Sequence, residues 1–155
     1  MKFRMVDRIT HWEPRRQIRG IKTVSFEEYN LRSPFGDEPC LPETLLLESL
    51  FQLGNWLIML SSDFTQMGLL VRWQEMQFDS RLRPGEQLRM QVDVVTYRND
   101  GVQFNGSGWI GDRLVGSGRG CLATFADLQA YHDPDDLRVL YSEIESVDLR
   151  STAKQ

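Results

Sequence analysis

An α+β fold, with a mostly antiparallel sheet curved around one long apolar helix, is predicted by three features of this 155-residue sequence. Residues 42 to 60 are apolar almost all the way round a helix. That pattern marks a helix covered on most sides rather than one lying on a surface. The segments after it alternate in the two-residue period of strands. The last two strands carry glycines at alternating positions, Gly106 and Gly108, then Gly116, Gly118 and Gly120. Glycine inside a strand marks a bulge, a bend, or the close approach of another backbone or a ligand. A strongly curved sheet wrapped around a central helix would use all five, while bulges and loops are the other reading.

The elements follow in order. The segment RQIRGIKTVSF, residues 16 to 26, has the β-branched content and alternation of a strand. Residues 27 to 41 hold Asn30, Ser33, Pro34, Gly36, Asp37 and Pro39, the composition of an ordered loop. Pro42 suits the first turn of the helix, where its missing N–H would have no partner anyway. After a turn between Asp63 and Gly68, residues 69 to 78 read as a strand and RPGE, residues 83 to 86, as a turn. In residues 87 to 98, Leu88, Met90, Val92 and Val94 share one face and Arg89, Gln91 and Asp93 the other. The NDG at 99 to 101 is a hairpin signal, and two further strands follow, joined at Gly111 and Asp112. From Ala126 onward the chain is acidic and more polar, and Asp133 followed by Pro134 predicts the start of a short helix. The expected organisation is one domain over residues 1 to 125 and a C-terminal extension over 126 to 155, with no internal repeat.

Composition narrows the function. A net charge of −4 argues against nucleic acid or an anionic membrane as a partner. The longest apolar stretch, LLLESLFQLGNWLIML, is shorter than the roughly 20 residues a bilayer requires and has polar interruptions. The N-terminus MKFRMVDRIT lacks the apolar core of a signal peptide. Cys40 and Cys121 lack metal-type spacing and read as free thiols of a reducing compartment. A cytoplasmic protein without metal or cofactor is expected.

Within the helix, Thr44, Glu48, Gln52 and Asn55 are spaced by 4, 4 and 3 residues, which places them on one stripe. One reading is a wet edge at a loop or dimer boundary. The other is a carboxylate at the bottom of an apolar pocket, where desolvation favours the protonated form and suits it to general-acid work. The spacing does not choose between them.

Three segments carry a resemblance. MVDRITHWEPRRQIRGIKTVSF, PCLPETLLLESLFQ and RPGEQLRMQVDV resemble, in turn, the opening, the signature and the later turn-and-strand of the 3-hydroxyacyl-acyl carrier protein dehydratases. The likeness spans about residues 3 to 125 and is most specific in the signature, a proline-rich turn that opens the helix, then a carboxylate followed four residues later by glutamine. The resemblance implies the hotdog fold, a dimer or higher oligomer, and substrates that are thioesters of acyl carrier protein or coenzyme A. It also implies a histidine base from one subunit and a carboxylate acid from the other. The carboxylate carries over to Glu48 and its helper to Gln52. Counted back without gaps, the histidine position is Pro34, which has no titratable group. The glycine whose N–H polarises the thioester carbonyl falls at Glu43, where negative charge opposes oxyanion stabilisation. Phe35, Cys40, Leu41, Pro42 and Thr44 are the expected substrate-binding residues.

The remaining histidines, His11 and His132, belong to no motif: His11 reads as an ordinary exposed histidine, and His132 as solvating or capping beside Asp133. The expected function is a dehydratase homologue that acts on or binds acyl thioesters with impaired catalysis. The alternatives are a hotdog thioesterase, a non-catalytic partner subunit that forms a heterodimer with a histidine-bearing homologue, and a purely structural interaction protein.

Overall fold

The computed structural model describes residues 3 to 26 and 38 to 146. A seven-stranded antiparallel sheet has the order β1-β2-β5-β6-β7-β3, with β4 also pairing on β7. The strands are β1 Arg8–Glu13, β2 Gln17–Thr23, β3 Gln66–Arg72, β4 Glu75–Phe78, β5 Gln87–Tyr97, β6 Gly101–Ile110 and β7 Arg113–Asp127, with helices α1 Glu43–Ser61 and α2 Pro134–Ile144. The curved sheet wraps α1, as the sequence predicts.

The glycines make that wrapping tight. A Cβ on Gly106 would stand 3.2 Å from Leu50, and one on Gly116 would stand 3.1 Å from Leu46. From the helix side, a Cβ on Gly54 would lie 2.6 Å from the Phe104 ring. Leu46, Leu50, Leu53 and Leu57 recur at intervals of four, three and four residues and are buried on this seam. By length and composition α1 could cross a membrane, yet more than half of that stretch is buried inside the protein as its core helix.

Two strands differ from the sequence reading. The segment expected as one strand over residues 16 to 26 is the second arm of a hairpin whose first arm is β1. The turn was hidden because it has no glycine or asparagine: Arg15 itself takes a left-handed conformation, φ 57°. A bulge between Ile9 and His11 also breaks the alternation of β1. The strand expected over residues 69 to 78 is split into β3 and β4. At the break Trp73 turns inward, its ring edge-on to Phe104 at 5.9 Å and over the bare Cα of Gly118. The turns at Gly85 and Gly111, both with positive φ, and the hairpin at 98 to 101 lie where the sequence puts them.

The helix expected after Asp133 is α2, and the Asp133 side chain caps it by accepting from the Asp135 N–H at 2.9 Å. Tyr141 anchors α2 to the domain. Its hydroxyl accepts from Trp12 Nε1 at 3.2 Å, and its ring lies 6.1 Å from Trp56 and 6.4 Å from Phe64. Arg138 donates to Asp63 at 2.9 Å and stacks over Phe64, clamping the turn that ends α1. Beyond α2, the Ser146 N–H donates to the Ile9 carbonyl at 2.9 Å, so the chain covers part of the β1 edge of its own sheet.

Candidate active site

Pro42 occupies the N-cap of α1, one position earlier than the first-turn placement the sequence suggests, and supplies no side-chain cap. Its carbonyl accepts from the Leu45 N–H at 2.9 Å and the Leu46 N–H at 3.3 Å, starting the helix ladder. The earliest N–H groups of a helix have no partner within it, and with the helix dipole they suit an oxyanion or thioester carbonyl. Glu43 and Thr44 stand exposed at this end. A carboxylate in the first turn favours the helix itself, which is a structural reason for Glu43 at this position. Leu41, buried, is pinned just before it by its N–H to the Leu82 carbonyl at 2.7 Å. Cys40 is half-buried beside it. Pro34 and Phe35 lie outside the described residues.

One turn further along, Glu48 and Gln52 form a bonded pair. Gln52 Nε2 donates to Glu48 Oε1 at 2.8 Å. The other end of the amide is fixed, because Gln52 Oε1 accepts from the Met5 backbone N–H at 2.8 Å. A backbone N–H can only donate, so the amide carbonyl must face Met5 and its NH₂ must face Glu48. The N-terminal segment thus determines which group the carboxylate meets. Glu48 is half-buried rather than sealed at the bottom of an apolar pocket, and among the described residues no cation pairs with it. Its second oxygen, Oε2, bonds to no described residue. Such an arrangement holds one carboxylate oxygen by a hydrogen bond and leaves the other for proton transfer.

The rest of the stripe divides. Asn55 is a structural clamp, donating to the Gly68 carbonyl at 3.2 Å and accepting from the Gly68 N–H at 2.8 Å. Thr44 lies with the helix N-terminus. The histidines also separate: His11 pairs with Glu13 at 3.2 Å on the β1–β2 hairpin, whereas His132, exposed, borders a cavity that Gln52 also lines. Sequence reasoning missed that shared cavity. The available signal was the apolar spacing Leu137, Leu140, Tyr141, Ile144 in the extension, a helical stripe that had to pack on something. Cys121 is buried and its thiol is pushed up to about 12 by desolvation, which suits packing rather than nucleophilic chemistry.

A curved antiparallel sheet wrapped around a core helix defines a hotdog fold, and here the helix carries a carboxylate–glutamine pair. The comparisons give the particular group. A family model described as the FabA-like domain matches residues 1–119, and this chain belongs to that family. It is similar to the 3-hydroxyacyl-[acyl-carrier-protein] dehydratase FabZ of Caulobacter vibrioides, at 30% identity over 116 residues covering 73% of each chain. The enzyme of the same name from Koribacter versatilis is 29% identical over 113 residues, covering 72% of each. Among solved structures the fold matches smu.793 from Streptococcus mutans bound to acetyl CoA, with TM-score 0.61 and 9% identity over 77% of this chain and 88% of that one. It also matches the fluoroacetyl-CoA thioesterase FlK, with TM-score 0.63 and 9% identity over 78% of this chain and 93% of that one.

Proposed function

We propose that this chain binds 3-hydroxyacyl or enoyl thioesters of acyl carrier protein or coenzyme A, and that Glu48 is its proton-transfer carboxylate. The observation that carries the reading is the Gln52 bridge, which ties Glu48 to the backbone at Met5 through two hydrogen bonds of 2.8 Å. Thioester binding would use the helix N-terminus at Pro42 and Glu43, with Cys40, Leu41 and Thr44 beside it; Phe35, outside the described residues, is the remaining proposed contact. Dehydration needs a base at the α-carbon as well as an acid at the departing hydroxyl, and Pro34 occupies the position where the relatives' family places histidine. The chain acting alone is therefore a weak dehydratase. The test is incubation of the pure protein with 3-hydroxyacyl and enoyl thioesters, following hydration, dehydration and hydrolysis together. Hydrolysis that depends on Glu48 would move the assignment to a thioesterase.

A second reading has its own observation. Among the described residues the β3–β4 edge is unpaired on its outer side and exposes Leu70, Val71 (56% exposed), Met76 (55% exposed) and Phe78. An exposed apolar edge strand is a pairing surface. A second copy would give a homodimer, and a histidine-bearing homologue would give a heterodimer in which this subunit's Glu48 completes one site. The heterodimer accounts for a retained Glu48 and Gln52 beside a changed Pro34 and Glu43. Co-expression with such a homologue, with and without Glu48→Ala, tests it: no complex, or activity indifferent to Glu48, rejects it. On this proposal residues 1 to 125 form the catalytic-type domain and 126 to 155 an appended extension, in a cytoplasmic protein without metal or cofactor.

A further inference from the structure

Between α1, the N-terminal residues and α2 lies a cavity of about 350 Å³, within the roughly 300–1,000 Å³ typical of small-molecule sites. Trp56 and Met59 of α1 form one wall, and Leu137, Leu140 and Ile144 of α2 the other. Gln52 also lines it, one helical turn from Glu48. The α2 wall lies beyond residue 119, where the match to the family ends, so this chain's extension makes the cavity.

Two features indicate what fits there. Protein interiors leave few voids larger than a water molecule, and the opposite side of α1 is packed so closely that glycines are needed to admit its leucines. A cleft open to solvent and walled mainly by large apolar side chains, beside such packing, is room for a guest. The polar groups that α1 presents to it are already engaged, Gln52 by Glu48 and Met5, and Asn55 by both backbone groups of Gly68. They have little hydrogen bonding left for a polar guest; Arg4, which pairs with Glu143 at 4.0 Å, and the exposed His132 also line the cavity, but most of the contact it offers is apolar.

We infer that the C-terminal extension is a receptor for the distal part of a medium-length aliphatic acyl chain running past Gln52, and that α2 sets the chain length the protein accepts. This rests on the acyl-thioester reading above. The probes are saturated butyryl-, octanoyl- and dodecanoyl-coenzyme A, which have no 3-hydroxyl to eliminate, and free dodecanoate. Binding is followed by calorimetry and by the change in tryptophan fluorescence, since Trp56 lines the cavity. Affinity is expected to rise by up to about fourfold per added methylene while the chain enters the cavity, then level off. Leu140→Trp and Leu137→Trp each fill the cavity from α2. Each should weaken octanoyl- and dodecanoyl-coenzyme A by at least about tenfold and leave butyryl-coenzyme A unchanged.

Equal losses at all lengths, or none, with butyryl-coenzyme A still bound would overturn the inference and leave the thioester reading standing. Sensitivity of dodecanoate alone, with the thioesters indifferent, would make the cavity a separate fatty-acid site and also overturn it. Failure of every thioester to bind the wild-type protein would sink both. The two positions lie one turn apart on α2, so the result does not hang on one variant, and melting curves of both confirm that the fold is kept.

Discussion

Helix α1 meets the protein in two different ways. Toward β6 and β7 it packs leucine onto glycine, with no room for a single extra carbon at Gly54. Toward α2 it meets rings and long side chains, held by Tyr141 and Arg138, and leaves a cavity of about 350 Å³ between them. The first contact is built from residues within the family match, and the second depends on residues outside it. Close packing specifies the fold and resists change. The looser contact has the freedom to acquire a ligand, and it borders the same glutamine that orients the candidate carboxylate.

The sharpest way to break this contrast is to add bulk on each side. Gly54→Val should destabilise by about 3 kcal/mol or more in urea unfolding, because its Cβ would lie 2.6 Å from the Phe104 ring. A loss below about 1 kcal/mol would mean that the glycine seam is not tight in solution.

Tyr141→Phe tests the loose side. It removes the hydroxyl that accepts from Trp12 and should cost about 1 kcal/mol. It should also change the alkaline limb of the stability curve. Burial, opposed by the Trp12 hydrogen bond and reinforced by Glu145 nearby, raises the Tyr141 phenol above its ordinary value of 10.0. The folded state therefore favours the neutral phenol. That contribution is fully present below the ordinary value and is lost as pH rises through the raised one. Wild-type protein should lose stability above about pH 10 more steeply than Tyr141→Phe. Tyr97 and Cys121, both also raised by burial, remain in both proteins and set the residual slope.

The smallest expected effect is at the candidate site. Glu48→Gln keeps the shape of the side chain and should leave stability within about 0.5 kcal/mol of wild type, or raise it. A large loss would make Glu48 a structural partner and remove the ground for giving it a chemical role.

What the sequence could convey follows from where its physical signals are local. The helix, the glycine strands and the turns at Gly85 and Gly111 were legible because each is written in neighbouring residues. The β1–β2 hairpin was not, since beyond Pro14 its turn has neither glycine nor asparagine at Arg15, the position that takes the left-handed conformation. The β3–β4 break depends on Trp73 finding Gly118, some 45 positions away in the chain, which no local window contains. The same division runs through the candidate site. The stripe of Thr44, Glu48, Gln52 and Asn55 was visible from helical spacing, but its split into a pair and a clamp was not. Met5 and Gly68 make that division, and both are distant in sequence. The cavity at Gln52 required knowing where α2 docks.

The most direct measurement is turnover of 3-hydroxyacyl and enoyl thioesters by the purified chain, run beside the Caulobacter vibrioides dehydratase to which it is 30% identical. If Pro34 holds the base position, as proposed, the thioesters should bind and interconvert about 10²–10⁴-fold more slowly than with that enzyme. The residual rate should fall further in Glu48→Gln. Turnover equal to the dehydratase, or a rate unchanged by Glu48→Gln, would contradict the account.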